Sequence, residues 1–507
     1  MIDNQVKSEI DRVWLDFVKG GVSNSLIIIE QISFLILARL MDMEEAQHER
    51  DALRTGESSY HLFRVDQQAL RWKNWSRMSD GEAMLNFVRD EVFPHLHILG
   101  GKKFTFGEYM KNVSLQILQA SLLVSVVEQI EKLPLGNSDT QGDVYEYLLS
   151  KLTTVGIHGQ FRTPRQIIKL MVELIDPKPT ETIGDPACGT AGFLVASMEY
   201  MRENYSAPKL VETRDSGSKS LSGDPLEFHQ EHVQHSMFHG FDFDATMLRL
   251  AAMNLMLHGV ENPDIHYMDT VSKVFPEKFP AIADGDKGGV DIIISNPPFK
   301  GRLSEDVHPS LLKIVQTRKS ELLFIILILR MLKKGGRSAT IVADGVLFGA
   351  SKAHLAVREY LLDCNQLEAV IALPSGVFKS FAGLSTAILV FTKGGSTQDV
   401  FFYDAQADGL SQEGKCQENV DNDLTDVLTQ YRRWCNDESD FTDRTEKAFK
   451  VSAADIRAHN FELAINRYRE AKYQEVKTEE PKVILARMQM LEAEIQRDMA
   501  ELEAMLR

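Results

Sequence analysis

Asn296-Pro297-Pro298-Phe299 closes the apolar run Asp291-Ile292-Ile293-Ile294-Ser295, and its residue types suit one chemical task. Two prolines fix the backbone and remove hydrogen-bond donors. Carbonyl oxygens and the Asn296 side chain are then left as acceptors beside an aromatic plane, an arrangement that fits a flat group bearing an exocyclic amine. The plainer reading of the same four residues is a rigid turn at a strand end with a buried Phe299.

A second segment, Asp185-Pro186-Ala187-Cys188-Gly189-Thr190-Ala191-Gly192-Phe193-Leu194, follows a short apolar stretch and opens a helical one. Gly189 and Gly192 remove side chains where a loop passes close to a bound molecule, and the following helix start offers free N–H groups. Many α/β proteins use such a turn for folding alone, so it gains meaning only beside another site. Between the two lies Gly240-Phe241-Asp242-Phe243-Asp244. An acid ending the second strand of such a unit commonly accepts from ribose hydroxyls. Asp242 is placed for that role, and Asp244 is better placed to cap the next helix. Asp269, after a third apolar run, could accept from an adenine amino group or simply shape a turn.

Other groups promise less. His229, His232, His235 and His239 would share one side of a continuous helix, yet a solvated helix is preferred to a metal site, and no metal is expected. Cys188 has no base near it in sequence, which argues against a nucleophile. Ser216-Gly217-Ser218-Lys219-Ser220, within the polar insertion Ser206 to His232, lacks the leading strand and glycine of a phosphate-binding loop. The basic run Lys300, Arg302, Lys313, Arg318 and Lys319 after Phe299 reads equally as a solvated loop or a phosphate contact.

These residues need a scaffold. Apolar runs at Thr182 to Asp185, Met237 to Asp242, Asp264 to Met268, Val290 to Ser295, Ser338 to Val342, Leu367 to Leu373 and Ala387 to Phe391 alternate with helical patterns. That alternation predicts an α/β fold with a parallel sheet and ligands at the carboxyl ends of its strands. Before it, Ile28, Ile32, Leu35, Ile36 and Leu40 repeat at helical spacing, predicting an all-helical domain over 1–140 that ends near the turn-rich Pro134 to Asp139. The catalytic domain is expected over 141–400, an acidic region over 401–480 and a terminal helix over 481–507. In that helix Ile484, Met488, Leu491, Ile495, Leu502 and Met505 form a coiled-coil-like seam.

The order and spacing of these motifs resemble the adenine-N6 DNA methyltransferases, which have a Rossmann-like sheet and use S-adenosyl-L-methionine. Gly159-Gln160-Phe161-Arg162-Thr163-Pro164-Arg165, about twenty residues before the Gly189 loop, is similar to the motif that precedes the cofactor loop in modification subunits of type I restriction enzymes. Arg162 departs from the aromatic usual there, and Ala191 from a common glycine. The resemblance implies that Gln160, Phe161, Thr163, Asp185, Ala187, Gly189, Thr190, Gly192, Asp242, Asp269 and Asn296 contact the cofactor. It implies that Asn296, Pro297, Pro298 and Phe299 act on a flipped adenine. Asn296 and the Pro297 carbonyl would accept the two amino protons and Phe299 would stack on the base. The partners it implies are DNA, a specificity subunit that chooses the sequence, a second modification subunit, and a restriction subunit in the full complex. A protein glutamine or RNA is the alternative acceptor, because a planar amide or base amine fits the same geometry.

The chain has 507 residues, enough for about three domains at roughly 150 residues each. Its net charge of −17 argues against a surface that binds nucleic acid everywhere, so a local basic cleft or a partner must supply the attraction. Four widely spaced cysteines suggest no disulfide framework, and the start at Met1-Ile2-Asp3-Asn4-Gln5 is unlike a secretory signal. The longest apolar run, Leu322 to Leu329, is far short of a membrane span, so a cytoplasmic protein is expected.

Overall fold

The computed structural model describes residues 3–56, 61–99, 113–136, 138–154, 163–205, 211–213, 219–221, 226, 229–260, 262–299, 301, 306–378, 385–409, 421–471 and 481–505. Nine strands form its central sheet: β1 (Ile183–Asp185), β2 (Phe238–Asp242), β3 (Asp264–Tyr267), β4 (Val290–Ser295), β5 (Leu332–Ala343), β6 (Gln366–Ala372), β7 (Thr386–Thr392), β8 (Asp399–Asp404) and β9 (Ala448–Ser452). They lie in the order β3-β2-β1-β4-β5-β7-β6-β8-β9. The first five are parallel, β7 runs antiparallel between β5 and β6, and β9 is antiparallel to β8. The strand order reverses at the β1/β4 boundary, the position where doubly wound sheets open a crevice beyond their carboxyl ends.

The principal helices are α1 (Asn4–Lys19), α2 (Ser25–Thr55), α3 (Ala120–Lys132), α4 (Ser138–Thr154), α5 (Arg165–Ile175), α6 (Gly192–Tyr205), α7 (Ala245–Leu257), α8 (Ser320–Met331), α9 (Lys352–Asp363), α10 (Leu424–Cys435) and α11 (Pro481–Met505). α2 starts on an Asn24 side-chain cap and stops at Gly56, whose φ of 74° favours glycine. Phe17, Ile32, Leu35, Trp75 and Leu123 bury the centre of the N-terminal bundle, and Leu250, Met253 and Leu257 of α7 complete the same core. Arg249 of α7 also reaches Glu30 of α2 at 2.5 Å, and both side chains are largely buried.

Two expected boundaries shift. α4 starts at Ser138, inside the expected turn, and its Val144, Tyr145, Leu148 and Leu149 bury into the bundle core, so the helical layer continues to 154. The limit expected at 400 does not end the sheet, because β8 and β9 extend it to 452. β5 begins at Leu332 rather than Ser338, after a register shift against β4 between Val290 and Ile292. Inside the polar insertion, Val211–Thr213 and Lys219–Leu221 pair as a two-stranded antiparallel ribbon.

α8 contains the Leu322 to Leu329 run, buried on every face because it packs under the sheet. Among the described residues no helix is long and apolar enough to cross a membrane. Residues 469–507 form a separate compact unit. In it α11 is a single helix whose seam residues Ile484, Met488, Leu491, Ile495, Leu502 and Met505 are all exposed.

Candidate active site

Asp185 ends β1, and its Oδ1 accepts from the Ala187 N–H at 3.0 Å and the Ser295 hydroxyl at 2.7 Å. Ser295 ends β4, so this carboxylate ties together the two strands at the switch point. Its Oδ2 is buried and makes no hydrogen bond among the described residues. Burial pushes the Asp185 carboxyl up to about 7.

The loop leaving β1 turns at Gly189 and Ala191, whose φ values are 54° and 60°. A left-handed Ala191 explains why glycine is common there: a Cβ in that region costs roughly 1–2 kcal/mol. Gly240 in β2 lets the loop approach closely, since a Cβ there would stand 3.2 Å from Cys188 Sγ. Cys188 is itself buried, which raises its thiol well above the usual range and suits packing rather than nucleophilic attack.

Asp242 Oδ2 accepts the Gly189 N–H at 3.0 Å and Oδ1 accepts the Asp244 N–H at 2.8 Å. Burial raises its carboxyl as well. The cap of α7 is Asp244, which accepts from Thr246 and Met247, so the two acids divide the tasks that the sequence left open between them.

Asn296 donates from Nδ2 to Thr163 Oγ1 at 3.0 Å, while its Oδ1 is buried and makes no hydrogen bond among the described residues. Phe299 is buried edge-on against Phe378, with ring centroids 5.5 Å apart.

One cavity of about 210 Å³ joins these groups, lined by Asp185, Ala187, Gly189, Thr190, Gly192 and Asp242, and by Thr163, Asn296, Pro297, Pro298 and Phe299. Asp269 does not line it. Its Oδ1 accepts from the Val271 N–H in a turn, while neighbouring Thr270 fastens that turn to the Pro186 carbonyl at 3.0 Å. Gln160 and Phe161 lie outside the described residues, as do Lys300 and Arg302 of the basic run. The four histidines do not share a helix. His229 precedes the short helix Gln230–His235, whereas His239 lies in β2 and bonds Asp264 at 2.5 Å.

Sequence reasoning missed part of the wall. Ser25 and Leu26 from the start of α2 and Leu152 from α4 line the same cavity, so the helical layer closes the site. Phe243 also lines it although 68% exposed, and an aromatic directly after the β2 acid was the available signal. A buried acid, a half-buried one, an amide oxygen with no partner among the described residues and an aromatic ring can together receive a cationic ligand and a planar amine.

Residues 136–477 match the model of the family described as N-6 DNA Methylase. The chain belongs to that family. Residues 6–130 match the HsdM N-terminal domain. This N-6 DNA methylase is 31% identical to the type I restriction enzyme EcoEI methylase subunit of Escherichia coli, over 94% of the chain and 92% of that protein. It is 29% identical to the StySPI methylase subunit of Salmonella potsdam, over 80% and 72% respectively. Its fold matches the type I restriction-modification methyltransferase subunit from Streptococcus thermophilus with a TM-score of 0.68 at 19% identity, covering 92% of this chain and all of that one. The N-6 DNA methylase is thus an adenine-specific methyltransferase of the type I restriction-modification class, and nothing in these similarities favours a protein glutamine or RNA as acceptor.

Proposed function

We propose that this N-6 DNA methylase moves a methyl group from S-adenosyl-L-methionine to the N6 nitrogen of an adenine turned out of duplex DNA, as the modification subunit of a type I complex. The observation that carries the reading is the buried, unengaged Asn296 Oδ1 in the cavity that also holds the Gly189 loop and Asp242. The donor would supply an electrophilic methyl group.

The residues present fit that donor chemically. Asp185 Oδ2 is a buried acceptor without a partner among the described residues, and two acids in one cavity favour a cation. Gly189 and Gly192 leave room for backbone contact, and Asp242 is placed to accept from ribose hydroxyls. Asp269 would act through the turn rather than by direct contact.

The adenine amino nitrogen is a weak nucleophile because its lone pair is delocalised into the ring. Asn296 Oδ1 and the Pro297 carbonyl would accept its two protons, so the nitrogen pyramidalises and aims its lone pair at the methyl carbon. No strong base is needed at that step, and positioning supplies most of the rate. Phe299 would stack on the base, which must leave the duplex because its paired amine cannot meet a donor in line.

A net charge of −17 disfavours DNA, and the exposed α11 seam is an apolar stripe fitted to another helix. Both support a specificity subunit that reads the sequence and docks on α11, with a second modification subunit and a restriction subunit completing the complex. The test is to co-purify the chain with its specificity subunit and map methylated bases in duplex DNA. N6-methyladenine at one defined sequence is expected, and methyl groups on any other acceptor would overturn the reading.

A further inference from the structure

Asn254 lies in the last turn of α7 and is fully buried. A buried asparagine inside a helix lowers helix propensity and costs desolvation, so its presence calls for a use of the amide. Its Nδ2 donates to the Thr190 carbonyl at 2.9 Å and lies 3.5 Å from Glu146 Oε1 of α4, while its Oδ1 makes no hydrogen bond among the described residues. A backbone carbonyl only accepts, so the amide meets Thr190 in one orientation alone.

Thr190 stands between Gly189 and Ala191, both left-handed, and Gly189 and Thr190 line the cavity. Asp242 of β2 takes the Gly189 N–H, and Asn254 of α7 gives a hydrogen to the carbonyl of the next residue. The peptide joining Gly189 to Thr190 is thereby held at both ends. α7 is a stiff mount for this purpose, because Leu250, Met253 and Leu257 bury in the bundle core while Leu248, Ala251 and Leu255 bury in the core beside the sheet. We infer that Asn254 is a positioning residue that holds the loop after β1 in its donor-binding shape, so that the loop is ordered before the donor arrives. The inference rests on the reading of this cavity as the S-adenosyl-L-methionine site.

Asn254→Leu keeps the bulk and removes the N–H. In the full chain it should raise the Kd for S-adenosyl-L-methionine about tenfold by calorimetry, the scale of one buried hydrogen bond. Assembled with the specificity subunit and assayed on duplex DNA at saturating donor, it should keep kcat within about twofold of wild type. Amide hydrogen exchange across Ala187 to Phe193, measured without donor, should quicken. Asn254→Ser should behave alike, because its short hydroxyl bonds back to its own helix instead of reaching Thr190. Met253→Ala, on the bundle side of the same helix, is the control: it should lower the melting temperature yet leave the donor Kd and the loop exchange as in wild type.

An unchanged donor Kd in either Asn254 variant that folds, judged by circular dichroism, would overturn the inference. A Kd raised equally by Met253→Ala would also overturn it, since general softening of α7 would then account for the loss. Failure of both Asn254 variants to fold, where Met253→Ala folds, would make Asn254 a residue of the fold alone and overturn it too. A wild-type chain that binds no S-adenosyl-L-methionine would instead remove the reading of the cavity itself.

Discussion

Asp242 at the end of β2 holds the backbone N–H of Gly189 in the loop after β1, at 3.0 Å. The acid expected to meet the donor's ribose therefore also shapes the loop beneath it. Asp242→Ala should weaken S-adenosyl-L-methionine binding by roughly 1–3 kcal/mol, since a charge-assisted acceptor is lost. Asp242→Asn, which keeps one acceptor oxygen, should lose less. Calorimetry decides: unchanged affinity in Asp242→Ala would place the ribose contact elsewhere.

Asn296→Ala should lower the methylation rate on the order of a hundredfold or more, because a positioned acceptor is removed from the reacting amine. Donor affinity should stay close to wild type. Single-turnover transfer of labelled methyl groups to duplex DNA measures the first, and calorimetry the second.

Burial holds the Asp185 carboxyl at about 7, above its value of about 3.8 in an unfolded chain. Between those values the folded protein binds the extra proton. Its contribution to stability is complete below about pH 4 and is lost as pH rises through about 7, amounting to as much as about 4 kcal/mol. Urea unfolding of the chain without donor at pH 5 and pH 8 should therefore show a larger drop for wild type than for Asp185→Asn. Equal drops would remove Asp185 as the cause.

Arg249 is the partner of the largely buried Glu30, whose carboxyl burial already pushes up. Arg249→Ala would leave that acid uncompensated and should destabilise by about 3 kcal/mol. The double variant with Glu30→Gln should recover most of the loss. Thermal unfolding of the three proteins checks it.

Ending the chain before Pro481 should leave donor binding intact, because the described residues that line the cavity lie within 25–299. Assembly with the specificity subunit should fall. Size-exclusion chromatography of the mixed chains tells the outcomes apart, and undiminished assembly would move the docking surface off α11.

Much of the site was legible in sequence because its chemistry is local. Asp185 ends β1 with Gly189 in the loop after it, Asp242 ends β2 and Asn296 follows β4, and these three strands end at one edge. What escaped notice depends on distance or dilution. Ser25 and Leu152 enter the wall through helix packing and carry no neighbouring motif. β8 is apolar over Val400 to Tyr403 without alternation, and β9 is short, so an acidic surrounding composition concealed both. The Lys333-Lys334-Gly335-Gly336 start of β5 reads as a turn, although it continues a strand.

Arg249 and Glu30 lie 219 residues apart, and Ser25 faces the same space as Asp242. Recombination between related genes that cuts between them would therefore carry a physical cost. A hybrid joining one relative's helical layer to another's sheet would inherit half of a salt bridge and half of a cavity wall from each parent. Such exchanges should survive where Glu30, Arg249 and the start of α2 travel as a matched set. The helical layer and the sheet are then expected to vary together rather than as separate pieces.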